Sequence, residues 1–85
     1  MTVKELKAIL DTCQDDMEII LQKDAEGNGY SPLDCWDDDC VYVEENKWDG
    51  SVYNIHWSAE DACVDEDQWK SILKLPKVLV LIPTN

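Results

Sequence analysis

The sequence predicts a small α+β domain: a mainly antiparallel sheet of three to five strands, with an N-terminal helix and a second short helix. Three observations support this fold class. The chain has 85 residues, of which 45% are apolar, and this suits a single domain over residues 1–85 with a modest core. The N-terminus has the periodicity of an amphipathic helix. The second half contains segments that alternate with period two, which is typical of strands.

The N-terminal helix is predicted over residues 2–10. Thr2 and Glu5 have the spacing of a capping box, in which each side chain accepts a hydrogen bond from a backbone N–H at the start of the helix. The apolar residues recur at helical spacing and define one face, which carries Val3, Leu6, Ile9 and Leu10.

A second, short helix is predicted to begin near residues 64–66 and to run to Leu75. Pro76 follows immediately and cannot continue a helix. We expect the inner side of this helix to carry Trp69, Ile72 and Leu73, which places an aromatic ring in the core.

Three regions are predicted to supply the strands. Residues 17–23 are short, apolar and bounded by turn residues. Residues 41–45 and 51–57 alternate with period two around a turn that ends in Asp-Gly, which predicts a hairpin. Residues 78–82 are a continuous apolar run between two prolines, which predicts a strand covered on both faces in the middle of the sheet. The acidic segment of residues 34–40 is interpreted as turn-like.

The charge of the chain limits what its surface binds. Nineteen carboxylates stand against seven lysines, there is no arginine, and the formal net charge is −12. Such a surface repels nucleic acid and anionic membranes and attracts basic protein surfaces. The signs are also segregated, since residues 24–49 sum to −8 whereas residues 68–85 carry three lysines and no acid. We therefore expect a strongly negative face, no direct nucleic-acid binding and no membrane association.

Two of the four tryptophans point to a partner-binding surface. Trp36 and Trp48 lie in acidic, turn-like segments, whereas Trp57 and Trp69 fit the core. An exposed indole among carboxylates is typical of a protein-binding hot spot. The alternative is that both indoles cap the edges of a small core. The predicted partner-binding residues are Trp36, Asp37, Asp38, Asp39, Glu44, Glu45, Trp48 and Asp49, with Asp65, Glu66 and Asp67 as a second patch.

Metal binding is an alternative function. Residues 24–29 resemble the first half of a calcium-binding loop, but position twelve of that loop is Cys35 and not the required glutamate. The thiols are scattered without paired zinc knuckles, so they are interpreted as small buried hydrophobes. We predict no metal and no other cofactor. The residues left open as ligands are Cys13, Cys35, Cys40, Cys63 and His56.

No catalytic set is recognisable, and the protein is predicted not to be an enzyme. The chain has no glycine-rich phosphate loop, no nucleophile elbow and no metal-type histidine pair. No apolar run has membrane-spanning length, and the N-terminus lacks the long apolar stretch of a signal peptide. A cytosolic protein with reduced cysteines is expected.

Both ends of the chain and its second quarter carry distinctive motifs. They are the opening MTVKEL, the segment IILQKDAEGNGYSPL of residues 19–33, and the closing VLVLIPTN of residues 78–85. With its D-x-EGNG-x-SPL loop and terminal Pro-x-Asn, the chain resembles a group of small uncharacterised acidic proteins of tailed bacteriophages and prophages. Residues 35–70 carry no such likeness. The resemblance implies a phage-encoded protein in the cytoplasm of a bacterial host, and it implies no activity.

The predicted function is that of a phage-type acidic binding protein. Rows of carboxylates can occupy a groove that otherwise neutralises phosphates, so we expect it to block a basic, nucleic-acid-binding site on a host or defence protein, as a DNA-mimic inhibitor does. Besides the metal-binding module, one further alternative is an oligomeric structural or accessory phage protein whose exposed sheet edge pairs with a copy of itself. A third interpretation is that the negative charge only raises solubility.

Overall fold

The α+β class is confirmed by a computed structural model, which describes residues 1–85 throughout. Two helices and four strands follow one another along the chain in the order helix, three strands, helix, strand. They are α1 (Val3–Leu10), β1 (Ile20–Gln22), β2 (Tyr30–Glu44), β3 (Gly50–Asn54), α2 (Glu66–Ile72) and β4 (Lys77–Pro83).

The long strand β2 organises the sheet, because each of the other three strands pairs with it. β1 runs antiparallel to its first residues, with Leu21 opposite Ser31. β3 runs antiparallel to its last residues and forms the predicted hairpin, with Val41 opposite Tyr53. β4 also hydrogen-bonds to β2 and to no other strand.

The chain divides into two compact units. The first consists of residues 1–35 and 81–85, and the second of residues 36–80. Strands β2 and β4 contribute residues to both units. The assignment of residues 1–85 to a single domain stays a prediction.

The second unit has a small apolar core under its hairpin. Val41 of β2 packs there with Ala59, Ala62 and two residues of α2, Trp69 and Ile72. The predicted inner side of the second helix is therefore confirmed for these two residues. The prediction is wrong for Leu73, which is exposed, and for the end of the helix, which lies at Ile72 and not at Leu75.

Aromatic contacts extend this core. The ring of Tyr53 meets the ring of Trp69 edge-on, with 6.0 Å between centroids. It meets Trp57 in the same way at 6.4 Å. Trp57 itself is exposed, so of the two tryptophans expected in the core only Trp69 is buried.

The first unit begins with the predicted capping box. The backbone N–H of Glu5 donates to Oγ1 of Thr2 at 3.2 Å, and the N–H of Thr2 donates to Oε1 of Glu5 at 3.4 Å. The apolar face of α1 is present, but no residue of the helix is buried. At the other end of the unit, the hydroxyls of Ser31 and Thr84 are hydrogen-bonded at 2.7 Å.

Three strand predictions need correction. The segment of residues 34–40 is not a turn but the middle of β2. β4 is not covered on both faces, since Leu79 and Leu81 are 40% and 38% exposed and the strand has a partner on one side only. β3 ends at Asn54, because the side-chain Oδ1 of Asn54 accepts the N–H of His56 at 2.8 Å and turns the chain.

Neither helix has both the length and the apolar character needed to cross a lipid bilayer.

Candidate functional site

Because residues 36–39 form part of a strand, the predicted partner-binding residues of this segment are divided between its two faces. Successive side chains of a strand point to opposite faces, and the burial alternates accordingly. Trp36 is 67% exposed and Asp38 is exposed, whereas Asp37 and Asp39 are partly buried. Only Trp36 and Asp38 are therefore presented to a partner as the sequence predicts.

Asp37 is engaged by its own chain. Its Oδ1 accepts the backbone N–H of Asp39 at 2.8 Å, and its Oδ2 accepts the side-chain amide of Asn54 at 3.4 Å. Asn54 is the last residue of β3. The carboxylate thus ties the two strands of the hairpin together, and it is not free to bind a partner.

Asp39 is held by two side chains, those of His56 and Lys77. Nε2 of His56 lies 3.2 Å from its Oδ2, and Nζ of Lys77 lies 3.3 Å from its Oδ1. The hydrogen bond from His56, and then that from Lys77, lower the pKa of the Asp39 carboxyl below its ordinary value. This contact was missed from the sequence, because nothing local pairs residue 39 with residues 56 and 77.

The tip of the hairpin, residues 44–50, presents the second predicted tryptophan. Oδ1 of Asn46 accepts the backbone N–H groups of Trp48 at 2.8 Å and of Asp49 at 2.9 Å. The carbonyl of Asp49 accepts the N–H groups of Glu45 and Asn46 and closes the turn. Trp48 is 79% exposed, and Nζ of Lys47 lies 4.5 Å from its ring centroid. Neither indole caps the core edge.

The hairpin tip gathers four of the predicted contact residues. Glu44, Glu45 and Asp49 are all exposed around Trp48. Oε1 of Glu45 also accepts the hydroxyl of Ser51 at 2.9 Å, which positions that carboxylate. The structure therefore brings one indole and three carboxylates together on one well-defined turn.

Tyr42 is a further exposed aromatic residue that sequence reasoning missed. It lies on β2 two residues before Glu44, opposite Val52 of β3, and both side chains are exposed. The signal that could have found it is the even-numbered face of β2, which includes Trp36, Asp38 and Tyr42. The interpretation of residues 34–40 as turn-like hid the fact that these side chains share one face of one strand. Cys40 interrupts the exposed row, because its side chain is buried.

The second predicted patch has a structural role at the start of α2. Asp65 is the N-cap, and its Oδ1 accepts the N–H of Gln68 at 2.7 Å. Glu66 and Asp67 lie in the first turn, where negative charge is favourable beside the unpaired N–H groups. All three carboxylates are exposed, but their positions are explained by the helix without a partner.

The residues left open as metal ligands do not come together. The four cysteines form no disulfide, and only the carboxylates of Asp37, Asp38 and Asp39 form a group of potential ligands, with one oxygen of each within 4.8 Å of the others. Such oxygens suit a hard cation, but Asp37 and Asp39 already have the internal partners described above.

Two of the thiols and the Asp24 loop have well-defined surroundings. Burial, with a hydrogen bond to Asp37, raises the pKa of the Cys40 thiol, which disfavours the thiolate. Cys63 is exposed, so the interpretation as a buried hydrophobe fits Cys40 and is wrong for Cys63.

The loop that resembles half of a calcium site is closed by hydrogen bonds to its own backbone. Oδ1 of Asp24 accepts the N–H groups of Glu26 and Asn28 at 2.9 and 3.2 Å and closes a turn. The bond from Asn28, above all, lowers the pKa of Asp24.

Comparison with known proteins adds no functional information. No protein-family model matches the chain, and no curated protein or solved structure shows significant similarity to it.

Proposed function

We propose that the protein is a non-enzymatic acidic binding protein that docks onto a basic site of a partner protein. The hairpin tip, residues 44–50, is its principal contact surface, with Trp36 and Asp38 as additional contacts. The partner we propose is a nucleic-acid-handling or defence protein in the cytoplasm of a bacterial host, which the acidic surface would block. The observation that carries the proposal is the exposure of Trp48, at 79%, on a hydrogen-bonded turn among three carboxylates.

Charge supplies the attraction for a basic site. All carboxylates of the chain are exposed except Asp37 and Asp39, which are partly buried. The second unit alone carries eleven carboxylates against four lysines. A field of this sign raises the rate of encounter with a positive groove and resembles the charge that the groove meets on nucleic acid.

The indole supplies the short-range part of the contact. Tryptophan is among the residues whose burial contributes most at protein interfaces. The backbone of Trp48 is already ordered by Asn46, so binding would cost little additional conformational entropy. The exposed carboxylates of Glu44, Glu45 and Asp49 would meet Lys or Arg side chains of the partner.

The proposal is tested by capture from a bacterial lysate on the immobilised protein, followed by competition with duplex DNA. We expect a basic protein to be retained, to be released as ionic strength rises, and to lose its DNA when the protein is added. Reversing Glu44, Glu45 and Asp49 to lysine changes the net charge from −12 to −6. We expect this variant to weaken binding by about a hundredfold or more, since each lost charged contact contributes about 1–3 kcal/mol.

The matched control carries the same charge change elsewhere. Reversing Asp15, Asp16 and Glu18, which are exposed in the first unit, also leaves a net charge of −6. If both variants lose the same affinity, overall charge alone would explain binding, and the hairpin tip would have no special role. Trp48→Ala removes the indole and keeps the charges, so it measures the contribution of the indole alone. Unchanged affinity in that variant would contradict the proposed role of Trp48 in binding.

A further inference from the structure

One edge of the sheet is left without a partner along β4. This strand pairs with β2 on one side and with no strand on the other. The backbone N–H of Thr84, just beyond its end, donates to the carbonyl of Pro32 in β2 at 2.9 Å. Because alternate residues of a strand direct their backbone groups to opposite sides, the N–H and C=O groups of Lys77, Leu79 and Leu81 point away from β2.

The open edge lacks the features that usually protect an edge strand. Natural edges carry charges, prolines or bulges that prevent pairing with another chain. In β4 the only charged residue is Lys77, and its ammonium is paired with Asp39 at 3.3 Å. Pro83 lies at the last position of the strand, so it leaves the three outward N–H groups intact. Leu79 and Leu81 are 40% and 38% exposed beside them.

We propose that two copies of this chain pair antiparallel through their β4 edges, about a two-fold axis at Leu79. This register places Leu79 opposite its own copy and Lys77 opposite Leu81, and it uses about six backbone hydrogen bonds, which are all the outward groups of both strands. Pro83, which has no N–H, falls outside the paired residues. The resulting sheet is continuous across the two molecules.

Charge opposes the approach of a second copy less along β4 than along the acidic segments of the chain. Two molecules of net charge −12 repel each other through most of their surfaces. Residues 68–85 carry three lysines and no carboxylate. β4 therefore brings no carboxylate of its own to the pairing, and the charge of the neighbouring Asp39 is offset by Lys77.

The first test measures mass by sedimentation equilibrium over a concentration series. We expect the wild-type chain to dimerise, and Leu79→Asp and Leu79→Pro to weaken the dimer by at least about tenfold. Leu75→Asp is the matched control, since Leu75 is 39% exposed, lies outside β4 and gains the same charge. It should dimerise as the wild type does. A wild-type chain that stays monomeric at about 1 mM would overturn the proposal.

Amide hydrogen exchange, followed by NMR, identifies the surface independently of any substitution. In the dimer the amides of Lys77, Leu79 and Leu81 should exchange slowly, and on dilution they should become fast while those of Val78, Val80 and Ile82 stay protected by β2. A dimer in which the three outward amides exchange fast would show pairing through another surface and would overturn the proposal. So would a dimer of Leu79→Asp, confirmed as folded by circular dichroism, with wild-type affinity.

Discussion

Single residues of the acidic segment have different roles although they are adjacent in sequence. Asp38 is exposed beside Trp36, whereas Asp37 and Asp39 bind groups of their own chain. A carboxylate that is hydrogen-bonded to His56 and paired with Lys77 contributes to stability and little to the external field. The count of acids therefore overstates the number that a partner meets on β2.

Replacing Asp39 should reveal its contribution through pH. Its pKa is lowered in the folded chain by His56 and Lys77, so its stabilising effect is present above the ordinary carboxyl value of about 3.8 and is lost as pH falls through the lowered pKa. We expect Asp39→Asn to reduce the urea midpoint at pH 6 and to flatten its decline between about pH 5 and pH 2.

The partner variant Lys77→Met provides the control for this effect. In the wild-type background it should also reduce the midpoint at pH 6, and in the Asp39→Asn background it should add much less, because the shared contact is already lost. Fully additive losses would mean that the contact between Lys77 and Asp39 contributes nothing to stability.

At the scale of elements, the hairpin of β2 and β3 decides how the candidate surface is presented. Its two strands pair with Val41 opposite Tyr53, and its turn is closed by the side chain of Asn46 and by the carbonyl of Asp49. Gly50 begins β3 directly beneath the tip. A Cβ there would lie 2.5 Å from Cζ and Oη of Tyr42 and 2.6 Å from the carbonyl oxygen of Val43.

Gly50→Ala should therefore distort the hairpin. The ring of Tyr42 can move aside, but the backbone carbonyl of Val43 cannot move without breaking the strand pairing. We expect a loss of about 1–3 kcal/mol in the free energy of unfolding, measured by urea titration. Gly29→Ala is the control, since its Cβ would meet only the flexible side chain of Lys23, at 3.1 Å. Equal losses in the two variants would contradict the steric explanation.

At the scale of the whole molecule, repulsion among carboxylates opposes folding. The chain carries a net charge of −12, and the one lysine that forms a salt bridge, Lys77, pairs with Asp39. Most of the remaining carboxylates thus have no nearby cation to offset their repulsion. Salt screens such repulsion, with a Debye length that falls from about 30 Å at 0.01 M to about 8 Å at 0.15 M.

Stability should consequently rise with sodium chloride at neutral pH. We expect the Tm to increase by several degrees between about 0.01 and 0.15 M salt, as measured by circular dichroism. The variant with Asp15, Asp16 and Glu18 changed to lysine, at a net charge of −6, should show a smaller increase. A Tm that is independent of salt, or a decrease, would mean that self-repulsion is not a significant part of the folding free energy.

The sequence by itself determined the features that arise from neighbouring residues. The capping box of α1 joins residues three apart, the hairpin follows from period-two alternation around a short turn, and the net charge needs no structure at all. These interactions are local, so their signals lie within a few positions of one another. The position of Trp48 in the hairpin turn belongs with them, whereas its exposure did not follow from the sequence.

Only the tertiary structure decided the features that depend on distant partners. Asp39 meets His56 and Lys77, which lie 17 and 38 positions away. The acidic segment becomes a strand because pairing with its neighbours outweighs the low strand propensity of aspartate. β4 lies at an edge and not in the middle of the sheet, because a run of apolar residues specifies a strand but not how many of its sides find a partner.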